Sequence, residues 1–73
     1  MTGGPSHRGT VTAFDEARGW GTVRDEDAVA FDFHCTAIAD GTRRIAVGTE
    51  VSFVVVAGHR GRMEARGLIG TRR

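Results

Sequence analysis

A chain of 73 residues with a formal net charge of +1 has room for one domain and only a thin core. A single cysteine excludes an internal disulfide framework, and 10 arginines against 9 acids exclude a basic tail that would coat any polyanion. The unpaired thiol fits a reducing compartment and the start lacks a signal-peptide core, so a soluble, unexported, cytoplasmic protein is expected.

Residues 1–8 are small and polar and read as a flexible N-terminal segment, ahead of a domain over residues 9–70 and a tail over residues 71–73. The first β-like run is residues 10–14 (TVTAF). Residues 15–19 (DEARG) form a turn, and residues 20–24 (WGTVR) a second run. An acidic tip at Asp25-Glu26-Asp27 leads into a third run at residues 29–34 (VAFDFH). A longer connection follows, punctuated by Asp40-Gly41 and Val47-Gly48, with one short helical turn expected around residues 36–39. Residues 50–56 form the fourth run, with Val51, Phe53 and Val55 inward and Val54 and Val56 on the opposite face. Residues 57–61 (AGHRG) form a loop, and residues 62–69 the fifth run. No segment of eleven residues sustains a helical period, and the longest aliphatic stretch, Val54-Val55-Val56-Ala57, is far too short to span a bilayer. Five short strands with glycine-rich turns predict an all-β small barrel or sandwich, and closing the sheet removes exposed edges.

Charge is segregated along the chain. Six of the acids lie in the first half, at Asp15, Glu16, Asp25, Glu26, Asp27 and Asp32, whereas seven arginines lie from Arg43 onward. Every basic residue is arginine, a side chain suited to phosphate forks and base stacking.

Arg18-Gly19-Trp20-Gly21-Thr22-Val23 resembles the first RNP-like motif of the cold-shock domain family, which has a basic residue, Gly, an aromatic, Gly, an aromatic and an aliphatic there. The resemblance runs over residues 9–69. Gly9-Thr10-Val11 is similar to the family's opening strand, and His34 with Thr36-Ala37-Ile38 to the second motif and its following turn. Asp40-Gly41, Gly48, Val51-Ser52-Phe53 and Arg60-Gly61 fall at later landmarks. The resemblance implies a five-stranded antiparallel OB-fold barrel that binds single-stranded RNA or DNA, with a basic groove tracking phosphates and aromatic side chains stacking on bases. Glycines between the aromatics would let nucleic acid approach the backbone and relieve crowding.

Carried over residue by residue, the resemblance makes Trp20, Phe14 and His34 the stacking positions and Arg18 and Arg60 the basic ones. Five family aromatics are replaced, by Ala13, Thr22, Asp32, Cys35 and Thr42. At about 1–3 kcal/mol per stacked base, and allowing for non-additivity, that loss removes several kcal/mol, roughly a thousandfold in affinity. Asp32 at the platform centre would also repel phosphate.

Strand alternation in Phe31-Asp32-Phe33-His34-Cys35 puts both phenylalanines in the core and Asp32 with His34 on the outer face. That pair reads either as an exposed ion pair worth about 0–1 kcal/mol or as a ligand contact. The same alternation sends Cys35 away from His34 unless the strand bends, which leaves a buried structural thiol rather than a nucleophile. His7, His34, His59 and Cys35 show no metal-ligand spacing. Arg60 and Arg62, with Arg66, Arg72 and Arg73, form either a phosphate-contacting edge or a solvated tip.

The leading expectation is therefore a single-stranded RNA- or DNA-binding module of low affinity, monomeric, needing no cofactor and no membrane. Catching unpaired strands would shift nucleic-acid hairpins toward the open form. The alternative is a diverged barrel that serves as a protein-interaction module, and an enzyme is not expected.

Overall fold

A computed structural model describes residues 6–39, 41–58 and 61–71. Five strands occur in the order β1 (Ser6–Asp15), β2 (Trp20–Asp25), β3 (Ala30–His34), β4 (Glu50–Ala57) and β5 (Met63–Gly70), with one 3₁₀ turn at Cys35–Ala37. They close into a barrel in the spatial order β1-β2-β3-β5-β4. This is the five-stranded all-β architecture expected. Strand β1 begins earlier than the 10–14 run, because Ser6, His7 and Arg8 pair with Val54, Phe53 and Ser52 of β4.

The long first strand serves two neighbours. Gly9 pairs with Val51 on one side and Asp25 on the other, and a bulge between Val11 and Ala13 bends the strand from β4 toward β2. Gly9 is required at this crossing, since a Cβ there would run into the Arg24 carbonyl oxygen. Closure is not purely antiparallel: β3 meets β5 in parallel, with Asp32 opposite Glu64. A parallel bridge between Ile38 and Leu68 extends that seam, and the Ala39 N–H donates to the Leu68 carbonyl at 2.9 Å.

The core follows from strand alternation. Val11, Val23, Phe33, Val51, Phe53, Ala65 and Leu68 point inward from all five strands, and Ile38 caps them from the connection after the 3₁₀ turn. Phe33 and Phe53 are the largest fully buried side chains, and Phe31 and Val55 pack against the same cluster while partly exposed. His7 lies flat on Phe53, ring centroids 5.6 Å apart, with Asp25 at 3.9 Å. Residues 41–49 form no regular strand and are held through Ile45, which packs on the core, and an Arg44–Glu16 ion pair at 3.0 Å. Among the described residues no helix is long and apolar enough to cross a membrane.

Candidate nucleic-acid interface

The outer face of β2 and β3 is built by parity. Gly21, Val23, Phe31 and Phe33 face the core, which leaves Trp20, Thr22 and Arg24 on β2 and Ala30, Asp32 and His34 on β3 outside. Register then sorts these into rows. Trp20 stands opposite His34, and Thr22 stands opposite Asp32. The pairs extend to both sides, since Asp15 is opposite Trp20, Ala13 is opposite Thr22, and Glu64 is opposite Asp32.

The first row holds the rings. Trp20 is 41% exposed, and its ring meets His34 edge to face at a centroid distance of 5.0 Å. His34 is also the N-cap of the 3₁₀ turn: its Nδ1 accepts from the Thr36 N–H at 3.3 Å and lies 2.9 Å from Thr36 Oγ1. A backbone N–H can only donate, so Nδ1 is the accepting nitrogen and the neutral ring carries its hydrogen on Nε2. That fixes the ring plane beside Trp20 and makes Nε2–H its donor. Thr36 was visible in the sequence only as part of a turn. Its role could have been found from the cap pattern, a side-chain acceptor just before a helical turn.

The second row has lost its rings together. Three of the replaced aromatics, Ala13, Thr22 and Asp32, are register neighbours across β1, β2 and β3. The replacements are contiguous rather than scattered, and Thr22 and Asp32 make the row's centre polar. The expected Asp32–His34 pair is corrected: Asp32 Oδ2 faces Arg62 Nη2 at 3.5 Å, while His34 turns to Thr36. Arg62 reaches this face because β5 runs beside β3, a contact thirty residues apart in sequence with no local signal. The acid at the platform centre therefore carries its own counter-charge. A shallow cleft of about 380 Å³ opens beside the pair, lined by Val29, Ala30, Phe31, Asp32, Arg62 and Met63.

The remaining residues singled out in the sequence separate from the Trp20–His34 pair. Phe14 is half-buried and stacks on Phe33 at 5.9 Å with 12° between the rings, so its ring lies against the core. Arg18 is exposed in the β1–β2 turn, at the Trp20 end of the hairpin, with Nε 4.0 Å from Asp15 Oδ2. Arg60 lies outside the described residues, as do Arg72 and Arg73.

At Cys35 the expected buried thiol is found, but not its separation from His34. The strand ends at His34 and the chain turns, so Cys35 is only 8% exposed, and its Sγ nevertheless lies 3.9 Å from His34 Nδ1. Its backbone N–H donates to the Gly19 carbonyl at 2.7 Å, tying the start of the 3₁₀ turn to the β1–β2 turn. The thiol is a packing group at the base of the ring row. Among the described residues no three His, Cys, Asp or Glu side chains gather closely enough to hold a metal ion.

A family model described as the 'Cold-shock' DNA-binding domain matches residues 7–70. Among solved structures the chain is similar to Drosophila Unr CSD456, at 28% identity and a TM-score of 0.78. That alignment takes in 96% of this chain and 28% of the Unr chain. No curated protein matches the chain in sequence.

Proposed function

The chain belongs to the cold-shock DNA-binding domain family, a family of nucleic-acid-binding domains, and on that premise we propose that it captures unpaired RNA or DNA on the outer face of β2 and β3. The observation that carries this reading is the exposed Trp20 held beside His34 by strand register and by the Thr36 cap. Bases stack on the two rings, and His34 Nε2–H and Arg18 serve the phosphates nearest them, with Arg60 as the second basic candidate by family resemblance. Phe14 supports the platform from beneath through Phe33.

Affinity is low for a domain of this kind. One ring row remains where two would stand, and each absent stack forfeits about 1–3 kcal/mol. The reaction is binding without chemistry, and it destabilises hairpins by mass action on the open strand. The reducing cytoplasm suits its unpaired thiol.

Trp20 is the only tryptophan, so its fluorescence reports on the face itself. Titration with oligo-dT and oligo-U at low and then higher salt should give quenching that weakens with salt and is reduced in His34→Ala, which removes the neighbouring ring and keeps the reporter. A flat titration at tens of micromolar strand refutes the reading. It would favour a protein-binding barrel, for which the structure offers an apolar cleft of about 390 Å³ lined by Ile38, Ile45, Leu68 and Ile69 among others.

A further inference from the structure

The polar row beside Trp20 and His34 has a chemistry of its own. Along β3, Asp32 lies two residues from His34 on the same face, about 6.6 Å away at strand rise. A strand lying across this face with one base on the rings brings a neighbouring base over Asp32, Arg62 and the adjoining cleft. The walls of that cleft include Val29 and Met63, large apolar side chains that are 48% and 50% exposed. Apolar walls suit the faces of a base, and an acid with an arginine suits its edge.

Resting on the nucleic-acid reading above, we propose that the Asp32–Arg62 pair reads the Watson–Crick edge of guanine. An ionised carboxylate only accepts hydrogen bonds, and its two oxygens sit side by side. Guanine presents two adjacent donors on that edge, N1–H and the N2 amine, with the O6 acceptor next to N1. Uracil and thymine present one N–H between two carbonyls, which oppose a carboxylate. Adenine and cytosine each present one amine beside a ring-nitrogen acceptor. Guanine alone matches both carboxylate oxygens.

The arginine fixes the orientation. Arg62 Nη2 stands on the Oδ2 side of Asp32, at 3.5 Å. Guanine O6 then meets the guanidinium, N1–H meets Oδ2, and the N2 amine meets Oδ1. A distance of 3.5 Å is loose for a charged hydrogen bond, so the pair opens to a ligand at little cost. Replacing a ring by an acid thus exchanges stacking, which tolerates any base, for edge recognition, which does not.

The test uses the full chain and Trp20 fluorescence with three RNA heptamers: all-uridine, the same with a central guanosine, and the same with inosine there. Inosine keeps N1–H and O6 but lacks the N2 amine. The guanosine heptamer should bind roughly 10- to 100-fold more tightly than the all-uridine one, with inosine losing most of the gain. In Asp32→Asn the guanosine preference should vanish while all-uridine binding persists, and an unchanged melting temperature shows that the variant is folded. Equal affinity for guanosine and uridine heptamers overturns the inference and leaves nucleic-acid binding standing, as does a preference that survives Asp32→Asn. Absence of binding by every heptamer removes both.

Discussion

Gly21 separates two accounts of why glycine stands between Trp20 and Thr22. Its resemblance to a binding motif suggests a gap that admits nucleic acid to the backbone. The structure points the position the other way. A Cβ at Gly21 would face the core and meet Phe33 Cζ at 2.6 Å, the Ala13 carbonyl oxygen at 2.7 Å and Phe14 Cδ1 at 2.8 Å. Phe33 is fully buried and one of the three obstacles is backbone, so little can move aside. Overpacking of this kind costs about 1–3 kcal/mol, and three simultaneous clashes place Gly21→Ala near the top of the range. Alanine recovers about 0.5–1 kcal/mol of strand entropy, which leaves a net loss of about 2 kcal/mol. At about 4–8 °C per kcal/mol for a domain this size, the melting temperature should fall by about 8–16 °C. Thermal unfolding followed by circular dichroism measures it directly. Phe33→Leu in the same chain should show a smaller combined loss than the sum of the two single changes, because the leucine withdraws the clashing ring carbon. An unchanged melting temperature with weakened oligonucleotide binding would refute the packing account and restore the ligand-access one.

Other consequences follow from the same geometry. Ala28 holds a left-handed conformation at φ 66° in the β2–β3 turn, so Ala28→Gly should stabilise the domain by about 0.5–1 kcal/mol, seen as a melting temperature about 4 °C higher. A lower melting temperature would mean that the alanine side chain contributes packing. The nearly buried Asp25 carboxylate accepts from the Asp27 and Val29 N–H groups, both at 2.9 Å, and faces His7. Asp25→Ala should cost about 2 kcal/mol in urea unfolding and Asp25→Asn clearly less, since the amide keeps one accepting oxygen. Asp32→Phe restores a ring to the polar row and removes an acid, so oligo-dT binding should tighten by about 1–3 kcal/mol, roughly 5- to 150-fold. A neutral or weaker result in fluorescence titration would place position 32 off the binding face.

How much of this was legible in the chain depends on how far apart the interacting residues lie. Alternation within one strand is local, and it assigned Val51, Phe53 and Phe33 inward and Asp32 and His34 outward correctly. The short helical turn after His34 was legible too, but its consequence was not. Strand parity extrapolated one residue too far and sent Cys35 away from His34, whereas the His34 cap starts a new backbone direction at that residue. Phe14 shows the same limit. Its family position is compatible with a surface ring, yet the bulge between Val11 and Ala13 resets the parity of β1 and turns that ring onto Phe33.

The largest change concerns the lost aromatics, which in the sequence are separate substitutions far apart. Only register makes Ala13, Thr22 and Asp32 neighbours, and only barrel closure brings Arg62 to Asp32. Scattered losses would lower affinity everywhere on the platform and leave nothing in exchange. A contiguous row divides the face in two, with rings that would hold a base by its plane on one side and an acid–arginine pair that would engage an edge on the other. On the proposed reading, the first half would supply affinity without preference, and the second would supply preference with little affinity. A face so divided should discriminate among weakly held strands better than an all-aromatic one, because base-independent stacking no longer dominates the total binding energy.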